Sequence, residues 1–180
     1  MSTILVFEAE AIKPFVVLEE YRLLVCTVCR YACLTNEVIT HLRSKHRTIP
    51  APKRRELVDK VKALPDIIQN QAGLQNLQYP IPTAPALPWI APPYVDGLAC
   101  QTCGYIIRNK LKIKEHCRTA HGQATIRKRG RPAEGSEDPD EALLWRTGVR
   151  CQRFFTSRHG SSWFEVEQGQ QVSRLYIYYI

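Results

Sequence analysis

The sequence is short of what one large hydrophobic core requires. Its 180 residues include only five Phe and three Trp, and twelve prolines break up much of the other apolar content. A chain that buries little apolar surface needs another source of folding free energy, and bound metal is one. No run of about 18 apolar residues is present, so no membrane-spanning helix is expected. The start, MSTILVFEAEAIKPFVVLEE, holds Glu8, Glu10, Glu19 and Glu20 and lacks a basic stretch before its apolar one, so no secretory leader is expected.

Cysteine, by contrast, is plentiful, with seven residues. Four of them form two Cys-x-x-Cys pairs, each followed downstream by a pair of histidines. That is metal-ligand spacing rather than a disulfide framework, and it belongs to a reducing compartment. Nucleus is the expected location, with cytoplasm as the other choice.

The two pairs are copies of one unit. Leu24-Val-Cys-Thr-Val-Cys-Arg-Tyr31 aligns with Leu98-Ala-Cys-Gln-Thr-Cys-Gly-Tyr105, and each copy runs through a helix-like stretch into His-x4-His. The spacing C-x2-C-x11-H-x4-H, then C-x2-C-x12-H-x4-H, matches the ββα zinc finger. A two-residue knuckle turns both sulfurs to one side, and the loosened end of a helix presents both imidazoles to them. The expected ligands are Cys26, Cys29, His41 and His46 for one Zn2+, and Cys100, Cys103, His116 and His121 for a second. A finger this small has almost no core, so metal binding is most of its folding free energy. Ile107 and Ile113 take the two core positions of the second unit, and Cys33 and Val38 those of the first. Cys33 is therefore a small buried residue, Cys117 should point away from the metal, and Cys151 has only His159 nearby, which makes no site.

The expected fold class is small α+β: two ββα C2H2 fingers, a helix and a long Pro-rich extended linker between them, and a largely irregular C-terminal part. The segments are 1–22, finger one at 23–48, helix and linker at 49–95, finger two at 96–123, a basic then acidic stretch at 124–142, and 143–180. In the connecting region, Pro52 to Leu64 reads as a helix stopped by Pro65, with Leu57, Val58, Val61 and Leu64 as one apolar stripe packing on a finger or a partner. Pro80 to Pro93 carries Pro80, Pro82, Pro85, Pro88, Pro92 and Pro93 and reads as a polyproline-like spacer. Fingers that follow the major groove as a row need short linkers, so these two do not form a tight tandem.

The net charge of +8 is concentrated. Between Leu98 and Pro132 stand Arg108, Lys110, Lys112, Lys114, Arg118, Arg127, Lys128, Arg129 and Arg131 against the single acid Glu115. A positive field of this kind favours nucleic acid. Counting back from the first histidine, the second helix would offer Asn109, Lys112 and Glu115 to base edges, residue types suited to adenine, guanine and cytosine. The first would offer Leu34, Glu37 and Thr40, a face better suited to protein. Arg127-Lys-Arg-Gly-Arg-Pro132 contains the AT-hook-like core, in which a flat glycine lets two arginines reach into a narrow minor groove. A basic linker or an import signal would read the same.

The last stretch, Val172-Ser-Arg-Leu-Tyr-Ile-Tyr-Tyr-Ile180, is unlike the rest. Val-Ser can be encoded by an intron donor read in frame, so the coding sequence is expected to continue differently there, which transcript sequencing would check.

Together these elements resemble a fungal zinc-finger family whose named member is the D protein of the orsellinic acid biosynthesis cluster. The resemblance rests on Leu24 to Ala32 with His41-Leu-Arg-Ser-Lys-His46, Asp96 to Tyr105, Lys114 to Gly122, and Trp145-Arg-Thr-Gly-Val-Arg-Cys-Gln-Arg-Phe-Phe155. It implies the two-finger architecture and the eight ligands. Members are often longer chains, and little follows about biochemical role.

Two functions compete. One is a zinc-dependent DNA-binding protein using finger two and the basic segment. The other is a zinc-stabilised protein-interaction module. A small-molecule substrate and a membrane are not expected, nor is an enzyme. No histidine is followed two residues later by Glu, as a zinc deaminase needs, and four protein ligands leave no open position for water.

Overall fold

The structure is a computed structural model and describes residues 11–123 and 144–167. The basic Arg127, Lys128, Arg129 and Arg131, the acidic run 134–141 and the terminal 172–180 lie outside the described residues.

The first unit is a three-stranded antiparallel sheet rather than a two-stranded knuckle. Strands β1 (Phe15–Leu18), β2 (Leu23–Cys26) and β3 (Tyr31–Cys33) lie in the order β1-β2-β3. Phe-Val-Val-Leu and Leu-Leu-Val-Cys are short apolar runs rich in β-branched residues, the pattern of strands covered on both faces. Between them Glu19–Tyr21 forms a 3-10 turn that Arg22 closes with a left-handed φ of 55°. Helix α1 (Val38–Lys45) brings in the histidine pair, and helix α2 (Ala51–Lys62) follows. Pro50 enters α2 with extended backbone, and a proline sits in its first turn, where no intrahelical N–H is needed.

Side chains alternate across β2 and β3, so the sheet separates two cores. Leu24, Cys26 and Cys33 face α1 and α2 and meet Phe15, Val38, Leu42, Leu57, Val58 and Val61. The stripe on α2 therefore packs on the first unit. On the other face Leu23, Val25, Ala32 and Leu34 meet Ile68, Leu74, Leu77 and Ile90, together with Phe154, Phe164 and Val166 from the far end of the chain.

The second unit adds β4 (Tyr94–Cys100), β5 (Ile106–Ile107) and helix α3 (Lys110–His121). Both ends of α3 carry local signals. The Asn109 side chain accepts a hydrogen bond from the Lys112 N–H at 3.0 Å, and Gly122 closes the helix with φ 65°.

Residues 144–167, expected to be largely irregular, instead complete this sheet. β6 (Trp145–Gln152) pairs with β4, and β7 (Phe164–Glu165) with β6, giving the order β5-β4-β6-β7. The reason is burial. β4 is apolar on both faces around Ala99, and one two-residue hairpin partner leaves its other edge open. A bulge lies at Gly97, where a Cβ would stand 2.6 Å from the Val149 carbonyl oxygen, so only glycine permits β6 this close.

The proline-rich stretch is not the extended spacer expected: it is irregular, turning at 82–83, where the Ala84 N–H donates to the Ile81 carbonyl at 2.8 Å, and again at 88–89. Ile90 is fully buried, and the chain is pinned by Gln152, itself 1% exposed. The Gln152 amide accepts from the Leu87 N–H at 2.8 Å and donates to the carbonyls of Leu87 at 3.0 Å and Ala91 at 2.8 Å. Prolines cannot supply ladder donors, so one buried amide takes the place of a strand. Gln152→Ala strips all three bonds from groups shielded from water. A loss of about 2–3 kcal/mol is expected, read as a lowered denaturant midpoint, whereas an exposed spacer would give a change near zero.

Candidate metal centres

Each Cys-x-x-Cys pair sits in a knuckle built by the same local turn. In the first, the Arg30 N–H donates to the Cys26 carbonyl at 2.7 Å, and Arg30 has φ 58°. In the second, the Gly104 N–H donates to the Cys100 carbonyl at 2.9 Å, and Gly104 has φ 71°. Glycine takes this conformation freely. Arginine is strained there, and its backbone carbonyl is held by the Ala91 N–H at 2.9 Å from the proline-rich stretch.

The helices bring the histidines over the knuckles. Cys26, Cys29, His41 and His46 present one donor atom each within 4.8 Å of one another, and so do Cys100, Cys103, His116 and His121. In the first group His46 Nε2 lies 3.2 Å from Cys26 Sγ and 3.5 Å from Cys29 Sγ. In the second, Cys103 Sγ lies 3.2 Å from Nε2 of both His116 and His121. Tetrahedral zinc with S and N ligands implies donor separations of about 3.3–3.8 Å, and these separations of 3.2–3.5 Å lie at the short edge of that range. One buried atom points to a cation as well: His41 Nε2 has no hydrogen-bond partner. Its other nitrogen, Nδ1, lies 3.5 Å from the Tyr31 hydroxyl, leaving Nε2 for a cation.

The repeated tyrosine has a shared role that spacing alone does not reveal. Tyr31 meets His41 edge-on with centroids 5.5 Å apart, and Tyr105 stacks on His116 at 4.2 Å. Each holds the ring of the first histidine in place.

The electrostatics of the two groups differ. Burial pushes the Cys26 thiol up to about 11, and burial, aided by His46 and Lys45, holds His41 down at about 4. A neutral imidazole and a deeply buried sulfur are ready for a cation that supplies the missing charge. At Cys100 burial acts upward, but the backbone N–H groups of Cys103 and Thr102 outweigh it and lower the thiol. The first group is enclosed, whereas Cys103 is exposed at the rim of the second.

The remaining cysteines fall largely where sequence places them. Cys33 and Val38 are buried in the first core, and Ile113 in the second, with Ile107 partly buried beside it. Burial raises Cys33 to about 12 and Cys151 to about 11. Cys117 is not one of the four donors of the second group. It is fully buried with Cys100, Ile113 and Trp145, and its thiol donates to the Leu144 carbonyl at 3.9 Å, because α3 presents it to β6 and not to solvent.

The proposed base-reading positions are engaged within the chain. Asn109 caps α3, and Lys112 pairs with Glu115 at 2.9 Å. In the first unit Leu34 is 2% exposed in the core, and Glu37 forms an ion pair with Arg158. Only Thr40 of that set faces solvent without such a role. The protein-like face of the first helix is thus met by this chain's own C-terminal segment.

Residues 13–122, which span both groups, match the model of a family described as orsellinic acid/F9775 biosynthesis cluster protein D. No curated protein and no solved structure matches the chain.

Proposed function

The chain belongs to the orsellinic acid/F9775 biosynthesis cluster protein D family, and we propose that it is a zinc-binding protein that holds DNA against its second unit and the following basic segment. The observation that carries the reading is the run of nine bases with one acid between Leu98 and Pro132, built around the Cys100 group. Zinc, bound by the four donors of each group, would supply folding free energy and fix the helices. We assign it no catalytic step, since four protein donors leave no place for water. The nucleus is the compartment such a role requires.

Phosphate contacts release counterions, so affinity for duplex DNA should fall steeply with salt. Arg129→Ala with Arg131→Ala is expected to reduce the slope of log K against log salt by about two and to weaken A·T-rich duplex most. Absence of duplex binding at low salt would remove the proposal.

A groove favours the second reading, a protein-interaction module. Ile12, Val16, Val17, Leu64 and Trp89 line a hollow beside β1 that also holds the charged Glu19, Arg22 and Asp66, and Trp89 is 45% exposed. Leu57 and Val61 belong to the core and would not report on a partner. Capture of a partner that survives nuclease and depends on Trp89 would favour this reading.

A further inference from the structure

The second sheet has two faces. Leu98, Cys100, Ile107 and Trp145 face α3, and the alternate positions Ala99, Ile106, Val149 and Cys151 form a small cluster on the other side, with Trp163 packed over it. Around Trp163 stands a group of planes that takes no part in either metal centre. Tyr94 meets Trp163 edge-on, centroids 5.4 Å apart. The Arg108 guanidinium carbon lies 3.6 Å from the Tyr94 centroid and 5.4 Å from that of Trp163, and that of Arg153 lies 4.6 Å from Trp163.

The arrangement is built. Asp96 grips Arg108 with two bonds of 2.6 and 2.9 Å, which fixes the guanidinium plane over Tyr94. Arg153 forms no ion pair among the described residues and lies over the Trp163 ring. Tyr94 remains 41% exposed although its ring is already stacked on one side.

We propose that Trp163, Tyr94, Arg108 and Arg153 form a docking surface for single-stranded nucleic acid on the sheet face opposite α3. The proposal rests on the nucleic-acid reading above and moves a principal contact from the helix to the sheet. Flat rings and guanidinium planes accept the faces of unpaired bases, and guanidinium N–H groups take the phosphates. In a duplex those base faces are stacked inside and cannot reach the planes. An acidic peptide would satisfy Arg153 but leave the aromatic planes uncovered. The helix face competes poorly, since Asn109, Lys112 and Glu115 bond within α3.

The test uses the full, zinc-loaded chain and fluorescence anisotropy with labelled single-stranded DNA, single-stranded RNA and duplex DNA of about 15 nucleotides. Either single strand should bind more tightly than the duplex. Arg153→Ala and Trp163→Ala should each weaken single-strand binding about tenfold, with Trp163→Phe restoring most of it. Zinc content and melting temperature report whether each variant folds, and Arg153→Ala serves alone if Trp163→Ala does not. Single-strand binding that is unchanged in Arg153→Ala and Trp163→Phe with Arg153→Ala overturns this proposal and leaves duplex binding standing. Competition by polyglutamate as effective as by unlabelled oligonucleotide also overturns it. Loss of all nucleic-acid binding in the parent chain overturns both readings.

Discussion

Cys26→Ala is expected to bind one zinc where the parent is expected to bind two, and to lose its cooperative thermal transition. Cys26 is fully buried on the middle strand of the first sheet, opposite Phe15 on one side and Tyr31 on the other. Structural zinc contributes about 10–16 kcal/mol in finger peptides, as much as the whole net stability of an ordinary domain at about 5–15 kcal/mol. Removing one thiolate weakens the site and leaves His41 Nε2 buried without a partner. The damage cannot stay local, because the same sheet divides the two largest cores.

Cys103→Ala should behave differently. Its sulfur is exposed, and α3 is held to β6 by few side chains, chiefly Ile113 and Cys117 against Trp145. One zinc should again be lost, with α3 losing helicity while the first sheet persists. Native mass spectrometry gives the stoichiometry, and near- and far-ultraviolet circular dichroism separates core from helix. A Cys26→Ala chain that retains two zinc ions, or melts as the parent does, would contradict this account. Cys33→Ala should keep both ions, since Cys33 is a core residue and not a donor.

How much of this was readable in the sequence depends on the range of the interaction. The eight donors and the α2 stripe depend on neighbours a few positions away, and spacing carries them, whereas finger spacing assigns Asn109 to a base edge although it caps α3. β1 was less legible because Phe-Val-Val-Leu lies outside the repeat, and only its pairing with β2 shows that the knuckle is a three-stranded sheet. The role of Gln152 was invisible: its partners Leu87 and Ala91 lie more than 60 positions away, and a lone glutamine in a strand carries no periodic signal. The Arg153–Trp163–Arg108 cluster fails for the same reason. Finger spacing places Leu34 and Glu37 on an outward face. Phe154 and Arg158 cover that face instead, which composition cannot disclose.

A chain ending at Gln123 tests the largest of these long-range claims. It keeps both donor groups and the family-matched residues 13–122, and autonomous fingers would fold in it unchanged. We expect it instead to bind a hydrophobic dye and give a poorly dispersed amide spectrum even with zinc. Phe154 stacks among Tyr21, Tyr79 and Phe164, with centroids 5.1, 5.9 and 4.8 Å away, and its carbonyl accepts from the Ala32 N–H at 2.7 Å. Phe154→Ala alone should cost about 3–5 kcal/mol. The truncation also removes Trp145 and Phe164 from their cores and takes β6 from β4, leaving the Tyr94 and Val95 end of β4 unpaired. Three aromatic losses of that size exceed the margin of a domain this small. A dispersed spectrum and a parent-like melting temperature for the shortened chain would mean that zinc alone folds each unit. If the shortened chain fails while Phe154→Ala folds with reduced stability, the cores completed by residues 144–167 are as necessary as the metal.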